Sequence, residues 1–288
     1  MLQAHFRLRF SPSAMPEPTN FAARRTLLKH SLGVAGVLCA GVSAPALAVR
    51  PRAESPEVAT EQLLADSGLT ARWGSAMRRD LGWAAQWQPM GSRQALDQLE
   101  SGANEVGLFL SLPRAAYLEK EGLIHDRRKL ARTEVWLVGP SDDPAGIRAE
   151  KDPARAIAQV LAAQAAGVAS WQFGLSSDAA SNQGPDGPLA QLAAQLLGQP
   201  ASAGLGSKPV RPDVPSYRLV TQAAWLRQGQ ERGRRIWFQG HPALVLHAEV
   251  ARSFRGRHPG GRMLVEWLDR PLARGTLRGA VGWQAVKG

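Results

Sequence analysis

The sequence predicts an α/β fold in which strands and helices alternate along the chain. Two short apolar runs, at residues 106–110 and 135–138, have the length and composition of buried strands. Gly139-Pro140 ends the second run. Helical patterns follow at 153–166 and 188–197. Because strands alternate with helices, we expect a mostly parallel sheet flanked by helices.

The two predicted helices carry signals at their ends. Asp152 is a good N-cap, Pro153 suits the first helical turn, and Gly167 ends the first helix. The second helix begins at Pro188 and places its leucines on one face. The remaining pattern indicates strands at 168–170, 236–238 and 244–246, a closing amphipathic helix around 263–268, and loops rich in Gly, Pro or Ser at 181–187 and 198–215.

The first 48 residues have the organisation of an export signal. Arg24-Arg25 precede a soft apolar run at 32–42, and Ala46-Leu47-Ala48 supplies small residues for cleavage. Paired arginines in this position indicate the twin-arginine pathway. We therefore expect cleavage near Ala48, a short linker at 49–57 and a mature protein located in the periplasm. Translation from Met15 would give a shorter leader with the same signal.

Composition limits the classes of function. Cys39 is the only cysteine and lies in the leader, so the mature protein has no thiol for disulfides or catalysis. The chain carries a net charge of +11, and residues 1–48 hold five Lys or Arg and one Glu, which leaves +7. This excess fits either attraction of an anion or an arginine-rich proteome. The basic clusters at 127–129 and 232–235 lack interleaved aromatic residues, which argues against nucleic acid.

Sequence signatures of catalysis are absent. The chain contains no nucleophile elbow, zinc-binding His-Glu-x-x-His helix or phosphate-binding glycine loop, and its histidines lack zinc-ligand spacing. The pair Asp142-Asp143 precedes Pro144 and is typical of a turn and helix cap. We expect a protein that is not an enzyme and needs no cofactor or metal.

The segment at 119–147 carries a resemblance to a known family. Val138-Gly139-Pro140, followed by 143–147 (Asp-Pro-Ala-Gly-Ile), is its most specific part, with further similarity at 66–69, 91–96, 217–220 and 240–244. These segments resemble the periplasmic tungstate-binding component of tungstate ABC importers, over nearly all of 56–280. The resemblance implies a two-lobed type II periplasmic-binding-protein fold, with lobe I at 58–137 and 248–288 and lobe II at 138–247. It also implies an ABC permease as partner, and we expect a monomer.

The same resemblance implies where a ligand would bind. The family takes its ligand donors from a Thr/Ser-rich run after the first strand and from a second run in lobe II. The corresponding positions, with the adjoining loop, are Thr60, Glu61, Ser92, Arg93, Ser170 and Trp171. Glu61 stands where the family has a threonine, and Trp171 where it has an arginine. A carboxylate facing the cleft would repel a dianion.

Three hypotheses about the ligand follow. The cleft holds an oxyanion such as tungstate or molybdate on its hydroxyls and Arg93. Alternatively, Glu61 and Trp171 contact a small organic or cationic solute. In the third hypothesis ligand binding has been lost, and the protein is an interaction or sensor protein. Glu61 could equally be an acid favoured by a helix N-terminus, and Trp171 a core aromatic.

Overall fold

The computed structural model describes residues 55–174, 187–200, 213–228 and 232–286, which belong to one compact unit spanning Arg50–Gly288. The export signal, Cys39, most of the predicted linker and most of both predicted loops lie outside these ranges. Within them, no helix is both long enough and apolar enough to cross a membrane.

The first part of the chain forms three parallel strands with intervening helices. The strands are β1 (Glu57–Glu61), β2 (Gln86–Met90) and β3 (Val106–Leu110). β1 lies between β2 and β3 and is parallel to both. The helices are α1 (Gln62–Asp66), α2 (Leu69–Leu81), α3 (Ser92–Ser101) and α4 (Pro113–Lys120).

The second part of the chain starts with a long strand, β4 (Ile124–Pro140). After it come a 3-10 turn (Ile147–Ala149), α5 (Pro153–Ala165), β5 (Ser170–Phe173), α6 (Pro188–Leu196), β6 (Ser216–Thr221), α7 (Gln222–Gln228) and β7 (Arg234–Phe238). The chain then returns through β8 (Val245–Ser253), α8 (Pro259–Leu268), α9 (Pro271–Gly275) and β9 (Gln284–Ala285). The strand order is β2-β1-β3-β8-β4-β6-β5, and β7 and β9 also pair with β4.

β4 joins two groups of strands. Its first part, up to Glu134, pairs with β8, whereas Val135 to Pro140 pairs with β6 and β7. All of these pairings are antiparallel, and the parallel pairs are β1 with β2, β1 with β3, and β5 with β6. The parallel arrangement predicted from the sequence is therefore present only in strand pairs that do not include β4 or β8. Those two strands run through the middle of the order in opposite directions.

Most of the predicted elements are confirmed. Residues 106–110 form β3, and Asp152 caps α5 by accepting a hydrogen bond from the Ala154 N–H at 3.0 Å. The predicted turn is confirmed too, because the Asp143 carboxylate accepts the Ile147 and Arg148 N–H groups that open the 3-10 turn. The strand predicted at 168–170 was misplaced, because β5 begins only at its last residue.

Candidate ligand-binding site

Polar residues collect where the strands of the first part of the chain end. β1, β2 and β3 are parallel, so their carboxyl ends share one edge, which is the edge where α/β folds bind ligands. Thr60 and Glu61 end β1, and Ser92 follows β2. All three are completely buried.

The hydroxyl groups at this edge bond to the protein itself. The Thr60 hydroxyl donates to the Val58 carbonyl at 3.0 Å. The Ser92 hydroxyl donates to the Glu61 carboxylate and accepts the Leu110 N–H at 2.8 Å. Although Glu61 is the N-cap residue of α1, its side chain makes no capping hydrogen bond. Both hydroxyls therefore have partners within the fold, and one partner of the Glu61 carboxylate is Ser92.

A cavity of about 250 Å³ opens beside this edge. Arg93 from α3, Leu112, Pro113 and Arg114 at the start of α4, and Gln191 from α6 line it. Each of these residues lies in the first turn of its helix or immediately before it. Helix α6 belongs to the second part of the chain, and α3 and α4 belong to the first. The cavity is therefore lined by residues from both parts.

The three helices begin beside the cavity, and the first residues of α4 and α6 are prolines, which have no N–H group. The N-cap positions of α3 and α6 are Gly91 and Gly187, and that of α4 is Leu112, so no side chain caps any of these helices. The first N–H groups of a helix have no partner within the helix and carry a partial positive charge. Such groups bind anions readily.

Two guanidinium groups add to this positive potential. Arg93 is exposed and lines the cavity. Arg114 also lines it, while pairing with Asp97 at 2.6 Å and with Glu100. None of the described residues that line the cavity is acidic, and Glu61 is not one of them.

A second buried carboxylate lies on β8, which is separated from β1 by β3. Glu249 on β8 accepts the Ser111 hydroxyl and the Arg127 Nε–H, both at 2.6 Å. Burial alone would lower the pKa of Arg127, but its pairs with Glu249 and Glu119 raise that pKa above its usual value. Arg127 thus keeps its charge and neutralises Glu249.

No protein-family model matches the sequence, and no curated protein matches it. Several solved structures, however, are similar to this chain. A tungstate-binding protein, TupA from Desulfovibrio alaskensis, superposes with a TM-score of 0.61 at 16% identity over 81% of this chain and 99% of that one. A tungstate ABC transporter protein from Geobacter sulfurreducens gives 0.56 at 16% identity, over 78% and 98%. A phosphate-bound substrate-binding protein from Clostridium perfringens gives 0.55 at 8% identity, over 81% and 100%.

This chain has the periplasmic-binding-protein fold. The fold class predicted from the sequence is therefore confirmed. At these identities the likeness establishes the fold, and the ligand has to be argued from the residues.

Two predicted site residues lie at the other end of their strand in this fold. Ser170 and Trp171 begin β5, whereas Phe173 ends it and leads towards α6. About 10 Å of strand separates Ser170 from Phe173. The structure therefore brings Thr60, Glu61, Ser92 and Arg93 together but does not bring Ser170 or Trp171 to the same edge. The Trp171 ring is buried and meets the edge of the Phe173 ring at 5.5 Å between centroids, as a core aromatic would.

Sequence reasoning missed the start of α4 and Gln191. One signal was available for α4, because Pro113 follows a predicted strand at 106–110 by two residues and suits a first helical turn. Gln191 carries no such signal, because only the fold places α6 beside α3 and α4. Among the described residues, no group of three or more His, Cys, Asp or Glu could hold a metal ion.

Proposed function

We propose that this protein is an exported solute-binding protein that captures a small anion and delivers it to an ABC permease. The observation that carries the proposal is the cavity at Arg93, where three helix N-termini without side-chain caps meet two arginines. In this proposal residues 58–137 with 248–288 form one lobe, residues 138–247 form the other, and the cavity lies between them.

The lining of the cavity favours an anion over the other ligand classes. A cationic solute would need an acidic lining, but Glu61 is completely buried, bonds Ser92 and does not line the cavity. An aromatic solute would need the Trp171 ring, which packs on Phe173 instead. Arg93 lines the cavity, so we assign its guanidinium, together with backbone N–H groups of the three helices, to the ligand as donors.

The structural neighbours support this class of function. Their names include a tungstate-binding protein and a substrate-binding protein with bound phosphate, both tetrahedral oxyanion ligands. A solute-binding protein leaves its ligand chemically unchanged, so the protein that we propose is not an enzyme. We propose that it works as a monomer in the periplasm. The twin-arginine leader, cleaved near Ala48, would bring the protein to that compartment.

Titration calorimetry with tungstate, molybdate, phosphate and sulfate tests the proposal. We expect at least one of them to bind, and we expect Arg93→Glu to weaken that binding at least tenfold, which is about 1.4 kcal/mol. The reversed charge would repel the anion at the N-terminus of α3.

The matched control is Arg79→Glu on α2, whose side chain is 70% exposed and does not line the cavity. This variant carries the same change in net charge and should bind like the parent protein. A folded parent protein that binds none of the four anions would contradict capture of an oxyanion and favour an interaction or sensor protein.

A further inference from the structure

A second and larger cavity lies at the C-terminal end of the described chain. It measures about 540 Å³, within the range of small-molecule sites. We call it the C-terminal cavity, and it is formed by α9, the turn after it and β9. The residues that matter for its chemistry are Asp269, Arg274, Leu277, Arg278, Trp283 and Gln284.

Two buried donors of this lining have no acceptor in the part of the chain that the structure describes. Trp283 is 4% exposed, and its indole Nε1 makes no hydrogen bond within the described residues. The Nε atom of Arg274 is likewise buried without a hydrogen-bond partner there. A buried N–H group without an acceptor costs about 1–3 kcal/mol, so two of them beside one cavity favour an acceptor that binds there.

The charges of the lining indicate that this acceptor is negatively charged. Asp269 is held between two arginines, with Arg128 Nη1 at 2.8 Å and Arg274 Nη2 at 2.6 Å. Arg278 is exposed and forms no ion pair within the described part of the chain. Two guanidinium groups thus pair with one carboxylate, and the hydrogen bond from Arg274, with the charge of Arg128, lowers the pKa of Asp269. Positive charge is in excess.

Most of the remaining lining residues are apolar. Pro271, Leu277, Ala285 and the Trp283 ring contribute to its wall. A ligand that used the whole cavity would therefore combine a negative group with an apolar body.

We propose that the C-terminal cavity binds a small organic carboxylate. Its carboxylate would accept hydrogen bonds from the arginines and the Trp283 indole, and its apolar body would lie against Leu277. The site shares no lining residue with the cavity at Arg93, so it is independent of the proposed solute site.

Titration calorimetry with 2-naphthoate tests the proposal, and neutral 2-naphthamide tests the need for charge. We expect 2-naphthoate to bind and the amide to bind at least tenfold more weakly. Gly275→Leu should weaken binding of 2-naphthoate at least tenfold. A side chain built at Gly275 meets no atom within 4 Å, and Gly275 lines the cavity, so leucine would occupy the space of the ligand.

Gly275→Ala should weaken binding less than the leucine variant does, because its single methyl group leaves most of the cavity open. Arg278→Glu, an exposed change that does not depend on packing, should weaken binding at least tenfold even if the leucine variant does not fold. Arg93→Glu should leave naphthoate binding unchanged. The proposal is overturned if the parent protein does not bind 2-naphthoate, or if Arg278→Glu binds it as well as the parent does.

Discussion

The Glu61–Ser92 pair shows how much the function of single residues depends on their partners. In the sequence, Glu61 is a carboxylate near a predicted ligand site, and it argues against an anion. In the structure it is completely buried, with the Ser92 hydroxyl as one donor. The family resemblance implied that both residues belong to the ligand site, but it could not show that they bond to each other. That contact depends on how β1 and α3 pack.

Ser92→Ala should destabilise the fold by about 1–3 kcal/mol. The change takes a donor from the buried Glu61 carboxylate and an acceptor from the Leu110 N–H. Urea unfolding of the parent protein and the variant measures the difference. Ser75→Ala, at an exposed hydroxyl on α2, should change stability by less than about 0.5 kcal/mol. Equal stability of the two variants would mean that the Ser92 hydroxyl contributes nothing.

Among the elements, β4 departs most from what the sequence predicts. Only residues 135–138 have the pattern of a buried strand, yet β4 spans 17 residues. Its first half is rich in charged residues, which hides the strand signal. Those charges pair with distant residues, such as Arg127 with Glu249 and Arg128 with Asp269. Helices α5 and α6 were predictable because their signals are local, whereas the strands that pair with β4 lie about 80 or more residues further along the chain.

Gly139→Ala tests the packing at the end of β4. A Cβ atom at Gly139 would overlap the ring of Tyr217. That ring is completely buried, and its hydroxyl donates to Asp143 at 2.8 Å and accepts the Ala145 N–H at 3.1 Å, so it has no room to move. We expect a loss of about 1–3 kcal/mol or more, measured by thermal unfolding.

The control for this change is Gly275→Ala, where a Cβ atom meets no neighbour within 4 Å. It should be neutral or slightly stabilising, because alanine favours a helix over glycine by about 1 kcal/mol. A Gly139→Ala variant as stable as this control would show that the Tyr217 ring can shift after all.

On the scale of the whole molecule, two crossings of the chain connect the two groups of strands. One crossing is β4, and the other is the segment between β7 and β8. Glu134 joins them, because its carboxylate accepts the Trp136 indole N–H at 3.1 Å and the Gly240 N–H at 3.2 Å. A hinge motion about these crossings would have to keep or exchange these two hydrogen bonds.

The pH dependence of stability is a property of the whole molecule, and His247 contributes to it near neutrality. Burial lowers the pKa of His247 on β8, as do the positive charges of Lys129 and Arg132, while Glu249 opposes them. The pKa of His247 in the folded state is thus below the usual value of 6.5. As pH falls below about 6.5, the unfolded chain takes up a proton that the folded chain does not, so stability decreases.

His247→Gln should therefore reduce the loss of stability between pH 7.5 and pH 5.5, measured by urea unfolding at both values. The carboxylate of Asp269 does not interfere in this window. Its pKa is lowered from 3.8 by the hydrogen bond from Arg274, so the stability it contributes is lost only as pH falls below about 4. If the parent protein and the variant lost the same stability between the two pH values, His247 would not be the group that titrates, and its neutral form would not be favoured by burial beside Lys129.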